Sequence, residues 1–576
     1  MKKINLKIFG IVLLISMIMS SCGISRMVNR YETQVGITAV VNPLENHGGK
    51  VAADIKGSIA ERYFARRAVL ELTPVLKFEG GEKVLPTTIL RGTRTTVAGT
   101  MINNAQASAF EMKNALDFRP EMLVSELVVR ARVYRQGREN RAVTLPERKV
   151  ADGIINTSQS AQPGELRVAF LPDRYVKETI HTEKGHLYFA FMRHNINPRL
   201  ALNRTPEALA TLENLRAFIN RGWKIKSIEV NGWASPEGEV GFNDKLAANR
   251  SVSGERFLNN LILDLERKAG ATIERPAFTV AGKGEDFNGF MAALEASNIP
   301  NKDAIANAIN VSASPAQRQR NARAMAYSYA DVEKLLAPLR RAEFVISVYE
   351  PKKTDSQMLS LAKSNPSELT LEELLYAATL TNDLSTKLAI YNATKTLHPN
   401  CARGFNNAGA VNIQLGNVEA AKADLEQALK LAPANKSVQN NLGIIAVHQG
   451  DLTAARSLFT ASGMFPDNVG IVSLREGNYA AAATALAART CTYNLALSQL
   501  MAGNTQAALT TLRCAPQNAQ TLYLMAVIAA RGNDSAALYD NLRKAVAADA
   551  TFKTKAAQDR EFIRFHNLPE FQAIVR

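Results

Sequence analysis

Residues 409–433 read GAVNIQLGNVEAAKADLEQALKLAP. Gly416-Asn417 divides the stretch into two helical halves, and Pro433 ends the second. Small residues at Gly409, Ala421 and Ala428 stand against one large residue, Leu425, so that two antiparallel helices approach closely. The following unit repeats this core with Leu442, Gly443, Ala455 and Phe459. Turn anchors of the same kind fall at Asn382-Asp383, Gly416-Asn417, Gly450-Asp451, Gly477-Asn478, Gly503-Asn504 and Gly532-Asn533. The first two steps are 34 residues each, and the later ones 27, 26 and 29. Helix pairs repeated at such a period stack into a superhelix with a concave face, so residues 356–576 are expected to form an α-helical solenoid.

The 34-residue step and the small, small, large, small order resemble the tetratricopeptide repeat (TPR). That resemblance implies a concave surface for a protein partner, whose identity the repeats do not reveal. Cys491 and Cys514 lie in neighbouring repeats. A disulfide in an oxidising compartment and a pair of buried free thiols both fit them.

The whole chain has 576 residues, which suggests about four domains. With 46% hydrophobic and 21% charged residues it is neither disordered, nor collagen-like, nor a multi-span membrane protein. The net charge of +16 is spread thinly, without a basic tract interleaved with aromatics, which argues against a nucleic-acid partner. Four cysteines and seven histidines leave little material for a metal cluster. His181 and His186 have no third ligand beside them, and Gly282-Lys283-Gly284 lacks the phosphate-loop spacing. No Gly-x-Ser-x-Gly elbow or zinc-protease helix is present, so the expectation is a protein that is not an enzyme and carries no metal or dissociable cofactor.

At the N-terminus, Lys2, Lys3 and Lys7 precede an apolar run from Ile8 to Met19. Twelve residues are too few to span a bilayer, which takes about 20, so residues 1–21 read as a signal peptide. The run ends in Met19-Ser20-Ser21-Cys22, which resembles a bacterial lipobox. The resemblance implies a covalent lipid on Cys22. Gly23-Ile24-Ser25 follow without an acidic run, which by likeness to Bacteroidota-type outer-membrane lipoproteins implies a periplasm-facing protein on the outer membrane. From 28 to 165 the signals are short and β-like. Examples are 68–75 and 127–134, with turn clusters at Gly80-Gly81 and Asn103-Asn104, and together they suggest a β-sandwich.

Residues 183–351 alternate strands and helices, the pattern of an α/β unit. A strand at 187–191 leads to Thr205, an N-cap with Pro206 at the first helical position. Leu209, Leu212, Leu215 and Ile219 then form one apolar stripe. Ile228 and Val230 mark a second strand, residues 243–263 a second helix, and 278–281 and 343–349 two further strands.

Gly232-Trp233-Ala234-Ser235-Pro236-Glu237-Gly238, followed by Asn243, Leu246 and Arg250, is the segment most suggestive of a site. It resembles the C-terminal domain of the OmpA family, a periplasmic peptidoglycan-binding fold. Gly282-Lys283-Gly284-Glu285 and Arg340-Arg341-Ala342-Glu343 are similar to two later family motifs, with a longer helical insertion between them. By that resemblance Arg250 grips the carboxylate of the stem peptide, since a guanidinium matches a carboxylate bidentately. The family's aspartate, which takes the peptide's ammonium, is Ser235 here, and Glu237 stands two residues on to supply the charge. Asn243 reads as a cap or loop-fixing residue more than a direct ligand; a lone helical arginine such as Arg250 is commonly solvent-facing, but its register with Asn243 and Gly238 favours the binding reading. The expected architecture is therefore multidomain: an N-terminal β-sandwich, a central α/β OmpA-like domain and a C-terminal TPR solenoid. The expected function is tethering the outer membrane to the peptidoglycan stem peptide while the repeats hold a protein partner; the alternative is a scaffold that has lost wall binding.

Overall fold

The computed structural model describes residues 23–237, 239–300, 302–311, 314, 317, 320 and 329–576. Residues 1–21, expected to be a signal peptide, together with Cys22 and Gly238, lie outside the described residues. The chain divides into two compact units. The first joins residues 1–173 to 365–576; the second, 174–364, is inserted between them. No described helix is long and apolar enough to cross a membrane.

The N-terminal part of the first unit is built from strands, as the turn spacing indicates, but in three sheets rather than the two of a simple sandwich. The largest is six-stranded and centred on Ala68–Phe78 paired with Ser125–Arg135, two 11-residue antiparallel neighbours in register throughout. A three-stranded sheet (Val35–Ala39, Ile55–Ile59, Ser108–Met112) and a four-stranded one (Ala115–Asp117, Lys50–Ala52, Leu44–His47, Ile154–Ile155) share its core. Ile37, Ile55 and Phe110 from the second sheet meet Leu70, Leu72, Leu127 and Val129 from the first, with Val51 and Leu116 from the third. Alternation along each strand sends these side chains inward.

The C-terminal part is the expected stack of helix pairs. Ala402–Gln414 with Val418–Leu431 is followed by Lys436–Gln449 with Leu452–Ser462. Next come Pro466–Arg475 with Tyr479–Leu486, Tyr493–Met501 with Thr505–Cys514, and Ala519–Arg531 with Ser535–Ala548. The 27- and 26-residue steps have a simple cause: the helices there shrink to between 8 and 11 residues. Gly416, Gly450, Gly477 and Gly503 all turn with φ between 78° and 87°, where a side chain is strained. At the last anchor the left-handed residue is Asn533 (φ 57°) and Gly532 is not. Cys491 and Cys514 are joined in a disulfide with Cα atoms 5.0 Å apart, and Cys401 is free.

The second unit is a four-stranded sheet in the order Ile180–Tyr188, Arg341–Tyr349, Ile225–Ala234, Thr279–Glu285. Its last pair is parallel and the others antiparallel. Thr205 caps the helix Pro206–Ile219 through the Ala208 N–H, as the Thr-Pro pair predicts. The buried stripe of that helix is Ala208, Leu215, Phe218 and Ile219. Leu209, expected in the stripe, is 54% exposed, because Ala208 takes the inward position in the first turn, while Leu215 and Ile219 are buried as expected.

The 30-residue helix Val240–Ala269 lies on the other three strands and ends at Gly270 in the left-handed conformation. Gly254 lies on its buried face, and the packing explains it. A Cβ there meets the Ala342 Cβ at 2.7 Å and Val230 Cγ1 at 3.0 Å. Alanine ordinarily adds about 1 kcal/mol to a helix interior relative to glycine. Gly254→Ala is expected to lower stability instead, by about 1–3 kcal/mol, because the sheet must move away. Both tryptophans of the chain, Trp223 and Trp233, lie in this unit. The midpoint of urea unfolding followed by tryptophan emission therefore checks the sign.

Candidate functional site

The strand Ile225–Ala234 ends at Trp233-Ala234, and Ser235-Pro236-Glu237 turns the chain toward the long helix. Asn243, in the first turn of that helix, donates to the Ser235 carbonyl (3.2 Å) and to Glu285 Oε1 (2.7 Å). It ties the loop to the end of the neighbouring strand, the fixing role suggested by its position.

Arg250 is 1% exposed. Its Nη1 donates to the Trp233 carbonyl (2.9 Å), its Nε to that of Arg193 (3.0 Å) and its Nη2 to that of Ala190 (3.4 Å). The Phe189 ring covers it at 5.4 Å. Burial, with Arg340 adding repulsion, pulls the guanidinium down to about 10, still charged at neutral pH. The carbonyls of Ala190 and Arg193 come from the turn after the strand Ile180–Tyr188, in which Met192 adopts a left-handed φ of 55°.

Glu237 has a different partner. Its Oε1 accepts from Arg340 Nη2 (2.6 Å) and Nε (3.0 Å) and from Ser235 Oγ (2.7 Å). The other side of the same guanidinium is held by Glu333, bidentately at 2.6 Å. Burial lowers the affinity of Arg340 for its proton, but the hydrogen bonds and charges of Glu333 and Glu237 outweigh it and the net shift is upward. Ser235, Glu237, Asn243 and Arg250 thus share one loop–helix corner, in which Arg250 and Glu237 hold different partners. A nearby cleft of about 400 Å³ is lined by Trp233, Asp244, Lys283, Glu285 and Asp286; neither Arg250 nor Glu237 lines it. Arg340 was visible only as part of a strand-entry motif; its pairing with Glu237 had no sequence signal.

A second constellation lies in the first unit, and sequence reasoning missed it. The solenoid's groove is already filled by the chain's own linker, residues 156–173. Asn494 Oδ1 accepts from the Gln162 N–H and its Nδ2 donates to the Gln162 carbonyl, both at 2.8 Å. Asn468 does the same for Arg167 (2.8 and 3.1 Å), Asn441 for Ala169 (2.8 and 2.7 Å) and Asn407 for Leu171 (2.7 and 2.9 Å). Asn440 and Asn406 reinforce the Arg167 and Ala169 carbonyls at 2.8 and 3.0 Å. All six asparagines are 2% exposed or less.

The rungs at 167, 169 and 171 fall on alternate residues because an extended chain turns every second N–H and C=O to the same edge. Between, Leu166 and Val168 pack among Ile444, Phe459 and Ile471. The 3₁₀ turn Pro163–Glu165 accounts for the wider gap to Gln162. There the Glu165 carboxylate accepts from the Tyr493 and Asn494 N–H groups (2.8 and 3.2 Å), and burial raises its affinity for a proton. Asn407, Asn441, Asn468 and Asn494 step by 34, 27 and 26 residues, matching the turn anchors, and that periodicity was the available signal.

Among the described residues no three His, Cys, Asp or Glu side chains are grouped to hold a metal ion. The tetratricopeptide-repeat family matches residues 402–435, one repeat. No curated protein matches the chain. Solved structures similar to it include a tetratricopeptide repeat protein from Parabacteroides merdae, 14% identical, covering 36% of this chain and 90% of that one with a TM-score of 0.29. PilW, a type IV pilus biogenesis factor, is 15% identical, covering 39% and 100% with a TM-score of 0.26. YrrB, a TPR protein with an unusual peptide-binding site, is 18% identical, covering 36% and 100% with a TM-score of 0.21. The family match at one repeat and the stacked helix pairs around it make the C-terminal part of the chain a TPR-like helical region.

Proposed function

We propose that the chain is a non-enzymatic protein–protein scaffold of a bacterial envelope, held on the periplasmic face of the outer membrane by a lipid on Cys22. In this reading the central unit keeps an OmpA-like fold without gripping peptidoglycan. One observation carries it: the Arg250 guanidinium is buried on three main-chain carbonyls, while Glu237 is spent on Arg340. A zwitterionic ligand needs a guanidinium and a carboxylate that face it with donors and acceptors to spare.

The test is sedimentation of the soluble mature protein with purified peptidoglycan, beside Arg250→Lys and Glu237→Gln. The wild type and both variants are expected to stay in the supernatant. Sedimentation of the wild type that either substitution abolishes overturns the reading. That outcome would establish the second one, tethering of the membrane to the wall. The gathering of Ser235, Glu237, Asn243 and Arg250 at one corner favours this alternative. In it the 190–193 turn swings aside to admit the stem peptide, and the lipid anchor raises the effective concentration of a weak contact.

A further inference from the structure

We propose that the solenoid's groove is a main-chain-reading peptide site held shut by the chain's own linker, and that it takes a second extended strand of the linker's pattern once the linker is out. This rests on the reading of the solenoid as a binding scaffold and names the class of ligand it reads.

The argument starts from what the six asparagines touch. A carboxamide offers one acceptor and two donors, enough to pair with both polar atoms of one peptide residue. Four of the asparagines do so at Gln162, Arg167, Ala169 and Leu171, and none of these bonds involves a linker side chain. The row also holds itself in place. Asn468 donates to Asn440 (2.9 Å), Asn440 to Asn441 (3.2 Å), Asn441 to Asn406 (3.1 Å) and Asn406 to Asn407 (3.0 Å). The site therefore requires an extended backbone with free N–H groups at three alternate positions, which excludes proline there.

Side-chain preference is added at the edges. Arg167 lies 4.1 Å over the Phe465 ring and 3.9 Å from Asp467, and Phe170 tilts against Tyr391 with ring centroids 6.5 Å apart. The preferred ligand reads apolar, arginine, apolar, small, aromatic, leucine, the pattern of residues 166–171.

The linker is a strong competitor because it is tethered. Its N-terminal half is fixed by Thr157 on Glu561 (2.6 Å), Ser158 on the Asn46 carbonyl (2.5 Å) and Ser160 on the Tyr493 hydroxyl (2.8 Å). A segment tied next to its site acts at an effective concentration on the order of millimolar, so a free peptide at micromolar concentration does not displace it.

The experiment uses the full chain and a fluorescein-labelled synthetic peptide of residues 160–173, followed by fluorescence anisotropy. The wild type is expected to show no binding up to about 100 µM. A chain carrying Arg167→Pro and Ala169→Pro, which removes two rung donors and leaves the groove intact, is expected to bind at least 100-fold more tightly. Adding Asn441→Ala and Asn468→Ala to that chain is expected to abolish the gain. Equal binding by the wild type and the proline chain, or none by a folded proline chain, overturns the proposal. Hydrogen exchange on the unmodified wild type guards against a proline chain that does not fold. Arg167, Ala169 and Leu171 amides are expected to be protected at least 1,000-fold, and free exchange there overturns the proposal as well. Sedimentation of the protein with peptidoglycan defeats the scaffold reading alone and leaves these results as they stand.

Discussion

An Arg250→Ala chain is expected to lose about 3–5 kcal/mol of stability in its central unit, one of the largest effects of any single substitution there. The guanidinium fills a buried position and satisfies three carbonyls from two separate segments. Truncation opens a cavity and leaves those carbonyls unpaired in a low-dielectric interior, at about 1–3 kcal/mol for each stranded group. Relief of the repulsion from Arg340 returns only part of this. An arginine facing solvent would change stability by about 0.5 kcal/mol or less, so the two placements separate cleanly. Urea unfolding followed by tryptophan emission reports this unit alone, since Trp223 and Trp233 are the chain's two tryptophans. A midpoint shift equivalent to less than about 1 kcal/mol would return Arg250 to the surface, where a ligand could reach it.

Asn441→Asp is expected to destabilise the first unit by about 2–4 kcal/mol although the two side chains have nearly the same shape. A carboxylate still accepts from the Ala169 N–H, but it presents a second lone pair to the Ala169 carbonyl and to Asn406, where the amide donated. The lost donors and the buried charge act together at a residue with no exposed surface. Thermal unfolding followed by circular dichroism at 222 nm checks the size. Loss of amide protection at Ala169 ahead of the helices checks the place. An unchanged melting curve would mean that the solenoid stands without its linker.

The legible and illegible parts of this molecule divide along a physical line. Helix pairing was readable from Gly409, Leu425 and Ala428 because close packing constrains side-chain size, and size is written in the sequence. Thr205-Pro206 announced a helix start for the same reason: a hydroxyl and a missing N–H are properties of those residues. The linker's path was hidden because its partners bind main-chain atoms, which every residue except proline carries alike. Arg250 was found by its register, but its surroundings were not, since the carbonyls of Ala190 and Arg193 leave no trace in side-chain chemistry. Glu237 was assigned the charge of a missing aspartate, and the structure gives that charge to Arg340, over 100 positions along the chain.

The filled groove also orders events in time. A ribosome delivers Gln162 332 residues before Asn494, and Leu171 236 residues before Asn407. When the linker emerges, its binding site has not been made, and the whole inserted unit must be synthesised before the first repeat appears. Domains generally fold as they emerge, so the repeats condense last, around a strand that has waited for them. Contacts of such separation are slow to close. The last pair of them, Thr157 with Glu561, 404 residues apart, can form only after residue 561 has been made. A chain cut short before its final repeats would thus display an unsheltered strand, the feature that folding quality control recognises.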